Sequence, residues 1–138
     1  MKVPHNAHVA LVDGERFVLM RNTGQIFAPK LETVEEPVLE HTNFSVGVRN
    51  QEKRLPTDSL TGAAHLEEFA HGAAAAEWLN SKALAGEMDQ VLVVAAPKTL
   101  GEMRRHYHKE LQSRLIGELA KDLSGLPARA VEQAIAAA

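Results

Sequence analysis

Residues 90–104 read Gln-Val-Leu-Val-Val-Ala-Ala-Pro-Lys-Thr-Leu-Gly-Glu-Met-Arg, and this stretch decides the fold class. Its first seven residues form a Val-rich apolar run that is too short for an independent helix, which predicts a strand buried on both faces. Pro97 ends the run. Thr99 and Glu102 then have the spacing of a capping box, which predicts a second helix with Thr99 as its cap. A buried strand that leads directly into a helix is typical of an α/β domain.

The segment before residue 40 has the pattern of a strand meander. Residues 8–12 and 16–21 are short apolar runs joined by Asp13-Gly14, which is a hairpin signal. We expect a third extended segment within residues 25–38, interrupted by its two prolines. The three runs together predict an antiparallel three-stranded meander.

The middle of the chain changes character twice. Residues 40–61 are polar and without periodicity, so we expect either a mobile functional loop or a partial strand in which Phe44, Val46 and Val48 extend the third strand. Residues 61–86 have apolar and alanine residues at helical spacing, which predicts the first helix, with Gly86 as its stop.

Residues 114–123 have an ambiguous pattern. Leucines recur every four residues and favour a continued helix, whereas Gly117 weakens it, so helix and strand both stay open. Pro127 then suits the first turn of a last helix with Val131 and Ile135 facing inward.

Composition bounds the class of protein. The 138 residues suit a single domain spanning residues 1–138, the absence of cysteine excludes disulfides and thiolate sites, and the net charge of −3 argues against bulk attraction to nucleic acid or anionic membranes. No signal peptide pattern or run of about 20 apolar residues is present. We therefore expect a cytoplasmic protein without membrane insertion, and no cofactor.

Four stretches carry a family resemblance: residues 95–104, residues 119–127, and the turns at 12–14 and 22–24. Together, and in the same order, they resemble the bacterial host attachment proteins, which are required for attachment to host cells. That family is in turn similar to the middle domain of the archaeal and eukaryotic peptide-chain release factors.

The resemblance implies a ribonuclease H-like three-layer α/β fold in the order βββαβαβα, with a mixed five-stranded sheet and helices on both faces. It makes residues 115–122 the fifth strand and ends the second helix near Ser113. The release factors hydrolyse peptidyl-tRNA with a Gly-Gly-Gln loop. The matching residues 49–65 contain only the lone Gly62, so that activity is not expected here.

The start of the second helix is the first candidate site. A helix that begins where a buried strand ends offers backbone N–H groups to an anion, and we expect those of Leu100 and Gly101 to point outward. The predicted surface also takes in the basic segment 49–54. Its other members are Lys98, Thr99, Gly101, Arg104, Arg105, Lys121, Asp122 and Asp13.

A metal site is the alternative. Asp13, Asp122 and either Glu67 or Glu68 are carboxylates of the kind that hold Mg²⁺ in nucleases. The histidines suggest no metal site, because His106 and His108 diverge on a helix, and Trp78 and Tyr107 are expected to pack rather than to bind nucleic acid.

Two functional hypotheses follow. The first is a non-enzymatic binding or regulatory module for an anion, which would be an RNA or ribosomal backbone, a nucleotide or an acidic partner protein. The second is a metal-dependent hydrolase or nuclease.

Overall fold

The structure is a computed structural model that describes residues 1–39 and 59–138, with residues 59–69 described through their backbone only. The predicted loop or strand extension at residues 40–61 and the basic segment 49–54 lie essentially outside this range.

The first three strands form the predicted meander. β1 (His8–Val12) pairs antiparallel with β2 (Phe17–Asn22), which pairs antiparallel with β3 (Leu31–Glu35). The Asp13 N–H donates to the Arg16 carbonyl at 2.9 Å and closes the hairpin where the Asp-Gly pair predicted a turn.

The apolar run at residues 90–96 is β4 (Val91–Ala95), and all five of its residues are buried, as predicted. It pairs parallel with β1 on one side and with β5 (Leu115–Ala120) on the other. The sheet is therefore mixed and five-stranded, in the order β3-β2-β1-β4-β5, and the open question at residues 114–123 is settled in favour of a strand.

The first helix, α1 (Ser59–Leu84), ends where Gly86 was expected to stop it. Gly86 has a φ of 73°, its N–H donates to the Ala83 carbonyl, and the Glu87 N–H donates to the Lys82 carbonyl. This pair of bonds is a Schellman motif, which glycine favours because it adopts a positive φ without strain.

The second predicted helix is in fact two helices, so the elements within residues 1–39 and 59–138 follow the order βββαβααβα. α2 (Pro97–Arg104) and α3 (Lys109–Arg114) are separated by a turn. Asn80 of α1 accepts a hydrogen bond from the His108 N–H at 2.9 Å and donates to the His106 carbonyl at 2.7 Å. These contacts take two backbone groups of the turn away from a continuous helix.

Helices pack on both faces of the sheet. One core cluster joins Val93 to Leu79 of α1, Leu100 of α2 and Leu111 of α3, whereas the other joins Val94 to the last helix, α4 (Ala128–Ala137). Successive β4 residues serve opposite clusters because side chains alternate along a strand. Val131 and Ile135 of α4 are fully buried, as predicted.

The two large amphipathic aromatic residues pack as predicted. The Trp78 ring meets Phe17 edge-on, with centroids 5.1 Å apart. Tyr107 packs against the same core cluster, and its hydroxyl donates to Glu118 at 3.2 Å. Burial, together with the Glu118 carboxylate, raises the pKa of Tyr107.

Candidate functional site

The carboxyl ends of three adjacent strands meet at one edge of the sheet. Val12 of β1 is in register with Ala95 of β4, which is in register with Ala120 of β5. Asp13, Ala96 and Lys121 are the next residues along these strands. Ligands of open α/β sheets bind outside this edge, so it is the natural place to look for a site.

Helix α2 begins at this edge, three residues earlier than predicted. Pro97 is its first residue, Ala96 is its N-cap residue without a side-chain cap, and the Leu100 N–H already donates to the Ala96 carbonyl at 2.9 Å. The capping box predicted at Thr99 is therefore wrong. Proline suits the first helical position because its φ is preset and no N–H is lost there.

Because α2 starts earlier than predicted, the backbone N–H groups without an intrahelical acceptor belong to different residues. The N–H groups of Lys98 and Thr99 precede the first intrahelical hydrogen bond, whereas those of Leu100 and Gly101 belong to the helical ladder. The prediction that Leu100 and Gly101 present their amides is therefore wrong. The positive end of the helix is at Lys98 and Thr99.

The side chains of this first turn point in different directions. Lys98 and Gly101 are exposed, and a Cβ added to Gly101 would meet no atom within 4 Å. Thr99 is only 6% exposed and lies over Gly72 of α1, where its carbonyl oxygen and Cγ2 lie 3.5 and 3.6 Å from an ideal Cβ position. Thr99 therefore packs α2 against α1, and its buried side chain does not contribute to the candidate site.

The two arginines predicted for the surface have carboxylate partners. The Arg104 Nε lies 3.2 Å from both oxygens of Glu118, and Arg105 lies 3.5 Å from Glu102. Both guanidinium groups remain largely exposed. Their charge is partly balanced at the surface, in contrast to Lys98, for which the described part of the chain shows no ion pair.

Lys121 and Asp122 follow β5 at the same edge, and both are exposed. The Asp122 carboxylate accepts from the Ser124 hydroxyl at 2.6 Å and from the Ser124 N–H at 3.2 Å. Asp122 therefore forms an Asx turn at the end of the strand, and Lys121 extends its ammonium group without a partner among the described residues.

Asp13 closes the neighbouring hairpin. Its Oδ1 accepts from the Glu15 N–H at 2.6 Å and from the Arg16 N–H. Burial alone would raise the pKa of Asp13. The Glu15 amide, the Ser124 hydroxyl and the Arg16 amide outweigh that effect, so the pKa lies below its ordinary value. Asp13 is thus an ionised turn residue, and the Ser124 hydroxyl that donates to Asp122 also lies near its carboxylate.

The predicted residues therefore fall into two groups. We call the first the carboxyl-edge surface and define it as Lys98, Gly101 and Lys121 together with the Lys98 and Thr99 amides. The second group, Arg104, Arg105, Asp13 and Asp122, consists of residues whose side chains already have protein partners.

No three His, Asp or Glu side chains come together as metal ligands within the described residues. Glu67 and Glu68, the third members of the predicted set, lie where side chains are not described. The carboxylate set therefore stays a prediction.

A cavity of about 930 Å³ beside the hairpin was missed by the sequence reasoning. Its walls include Phe17, Met20, Glu36, Leu39, His71 and Ser124. His71 is 6% exposed, and its Nδ1 lies 2.7 Å from the Asp13 carbonyl, which can only accept, so Nδ1 carries the proton. A histidine within the alanine-rich stretch 70–76 was the available signal, because every residue of that stretch is buried.

The fold and this edge define an α/β domain with a helix N-terminus and two lysines at the carboxyl ends of its parallel strands. The family model of bacterial archaeo-eukaryotic release factor family 12 matches residues 6–135. The chain belongs to this family, which confirms the release-factor likeness. The family description does not mention host attachment. No curated protein matches the chain.

In the part of the chain that the structure describes, none of the helices has both the length and the apolar character needed to cross a membrane.

Proposed function

We propose that this protein is a non-catalytic, translation-related module that binds the phosphate backbone of RNA at its carboxyl-edge surface. Membership of a release-factor family supports a role near the ribosome. The lack of a Gly-Gly-Gln loop at residues 49–65 argues against peptidyl-tRNA hydrolysis.

One observation carries this proposal. Helix α2 begins just after Ala95, and Ala95 is in register with Ala120 of β5, so the exposed residues Lys98 and Lys121 follow the ends of two neighbouring parallel strands. Backbone N–H groups at a helix N-terminus bind anionic oxygen, and lysines beside them add charge and steer phosphates. The arrangement suits a phosphodiester backbone, which presents such oxygens at regular spacing.

The double variant Lys98→Glu/Lys121→Glu tests the proposal. We expect its affinity for single-stranded RNA to fall about 10- to 100-fold, because two phosphate contacts are lost and two repulsions are added. The slope of log K against log salt should become shallower by about 1.4, since each phosphate contact on a single strand contributes about 0.7. Fluorescence anisotropy over a salt series measures both quantities.

Lys109→Glu is the matched control, because Lys109 is an exposed lysine of α3 away from this edge. Arg104 is a poorer choice for reversal, since it would also break the pair with Glu118. An unchanged affinity and salt slope in the double variant would contradict the proposal.

A metal-dependent hydrolase is the second candidate, favoured by two carboxylates that lie near Ser124. The Ser124 hydroxyl donates to Asp122 and also lies close enough to Asp13 to lower its pKa, so the two carboxylates approach each other at the carboxyl edge, where a divalent cation would bind acidic oxygens. If this second candidate is correct, the protein cleaves RNA in the presence of Mg²⁺ or Mn²⁺. Asp13→Asn, which retains a side-chain oxygen for the turn, then abolishes cleavage. Glu15→Gln is the control in the same turn. The absence of cleavage by the natural chain with either ion would eliminate this candidate.

The finer assignments belong to the same proposal. A ribonuclease H-like fold over one domain is supported by three antiparallel strands, two further parallel strands and helices on both faces. A cytoplasmic location follows from RNA as the ligand. Any part in host attachment would then be indirect, through the expression of other proteins.

A further inference from the structure

The turn between β2 and β3 carries two apolar residues at its tip. Phe27 is 72% exposed and Ile26 is 39% exposed. The turn is closed tightly, because the Gln25 and Ala28 N–H groups each donate to the other residue's carbonyl at 3.2 Å. Turn tips are normally occupied by Gly, Asn, Asp, Ser or Pro, so an aromatic ring held out at this position calls for a reason.

A buried residue holds this turn in place. Asn22 is fully buried, its Nδ2 donates to the Gln25 carbonyl at 3.3 Å, and its Oδ1 accepts from the Gly24 and Lys30 N–H groups at 2.9 Å each. Gly24 is required, because a Cβ there would lie 2.6 Å from the Ala28 carbonyl oxygen. The Asn-Thr-Gly turn of the family resemblance is thus a support for the Phe27 ring.

The surroundings of the ring are basic. The Lys2 Nζ lies 5.5 Å from the centroid of the Phe27 ring, and Lys30 and Arg21 are exposed nearby on the turn and on β2. Two acidic residues also lie here: Glu32 is in register with Arg21, and Glu132 of α4 accepts a hydrogen bond from the Leu31 N–H at 2.7 Å. Lys2 covers one face of the ring, so an incoming group can stack on the other.

We propose that Phe27 is a stacking platform for an unpaired RNA base, with Lys2 and Lys30 contacting the flanking phosphates. A fixed aromatic ring next to cations is how proteins bind single-stranded nucleic acid, since every base has a face that stacks. A purely apolar protein partner would not call for these cations, and the bases of a duplex are already stacked. The inference rests on the proposed function only for the kind of ligand, because this turn lies at the opposite edge of the sheet from the carboxyl-edge surface.

The test compares Phe27→Ala with Phe27→Trp and Phe27→Leu. On a single-stranded RNA of about ten nucleotides we expect the alanine variant to bind about 5- to 100-fold more weakly, because one base loses its stacking partner. The leucine variant should bind as weakly as the alanine variant. The tryptophan variant should keep its affinity, and the fluorescence it adds to that of Trp78 should be quenched by RNA.

Two controls complete the design. Leu84→Ala removes another exposed apolar residue, at the end of α1, and should leave binding unchanged. Duplex RNA should bind the natural chain and Phe27→Ala equally. Circular dichroism establishes that each variant is folded.

Each contrary outcome has a distinct meaning. If Phe27→Ala binds single-stranded RNA as tightly as the natural chain, the stacking inference is overturned. The carboxyl-edge proposal is then still tested by Lys98→Glu/Lys121→Glu. Full affinity of Phe27→Leu overturns it as well, in favour of a general apolar contact such as a protein partner. Loss in Phe27→Ala with none in Lys98→Glu/Lys121→Glu supports the inference and refutes the proposed carboxyl-edge function. Failure of the natural chain to bind RNA refutes both.

Discussion

Asn22→Ala is expected to lower the free energy of unfolding by about 4 kcal/mol. The Asn22 side chain donates to the Val3, Pro4 and Gln25 carbonyls and accepts from the Gly24 and Lys30 N–H groups. Truncation leaves these groups without a partner, and a buried unsatisfied group costs about 1–3 kcal/mol. The turn is partly exposed, so water recovers some of that loss. Urea denaturation followed by circular dichroism measures the change.

Two further variants make this expectation specific. Asn22→Asp keeps the acceptor oxygen but sets a buried carboxylate oxygen against the Val3, Pro4 and Gln25 carbonyls, so at neutral pH it should destabilise the protein at least as much as Asn22→Ala. Gln112→Ala removes an exposed amide from α3 and should change stability by no more than about 0.5 kcal/mol. A loss below about 1 kcal/mol in Asn22→Ala would mean that the hydrogen bonds around Asn22 do not hold the β2–β3 turn.

Asn80→Ala is expected to lower the free energy of unfolding by about 3 kcal/mol. Asn80 is 3% exposed, and its side chain bonds the His106 carbonyl, the His108 N–H and the Glu77 carboxylate. The two backbone groups belong to the turn between α2 and α3. Without the Asn80 side chain they have no hydrogen-bond partner, and each unsatisfied buried group destabilises the folded state. Urea denaturation measures the loss, and hydrogen exchange should show faster exchange of the His108 amide.

Ser81→Ala is the matched control for this site, because Ser81 is the next residue of α1 and lies on its exposed side. It should change stability by about 0.5 kcal/mol or less. Unchanged exchange at His108 in Asn80→Ala would show that the turn stands without Asn80.

The first four strands of the sheet were predictable because each is specified by its own residues. A continuous Val-rich run has few solutions other than a strand buried on both faces, and Asp13-Gly14 between two apolar runs closes a hairpin by local hydrogen bonds. The bond from the Asp13 N–H to the Arg16 carbonyl lies within that turn. Such strands and turns can be predicted without knowing which elements they pair with.

The second helix was mispredicted for two different physical reasons. Thr99 has a capping residue's identity, but Pro97 can open a helix three residues earlier, and Thr99 then packs against Gly72. The break after Arg104 depends on Asn80, which lies 26 residues before His106 in the sequence. A local sequence pattern cannot predict a hydrogen bond between residues that far apart.

The candidate surfaces show the same division. That Lys98 and Lys121 would lie at one edge was predicted from strand ends and a fold expected by resemblance, and the register of β4 with β5 brings the ends of those two strands together. Phe27 escaped notice because a single phenylalanine in a turn segment carries no pattern. Its exposure is decided by the Asn22 hydrogen bonds, which join residues 3–30.

By itself the sequence determined the α/β class, the meander, the buried central strand and the last helix, because periodicity and turn chemistry act over a few residues. The residue pattern left residues 115–120 open between helix and strand, the family resemblance implied a strand, and the pairing with β4 decided it. The tertiary structure alone decided the split between α2 and α3 and which backbone amides open at the carboxyl edge. It also decided that Thr99 is buried while Phe27 is exposed. These outcomes depend on contacts between residues far apart in the chain, where burial and hydrogen bonding to another element outweigh local preference.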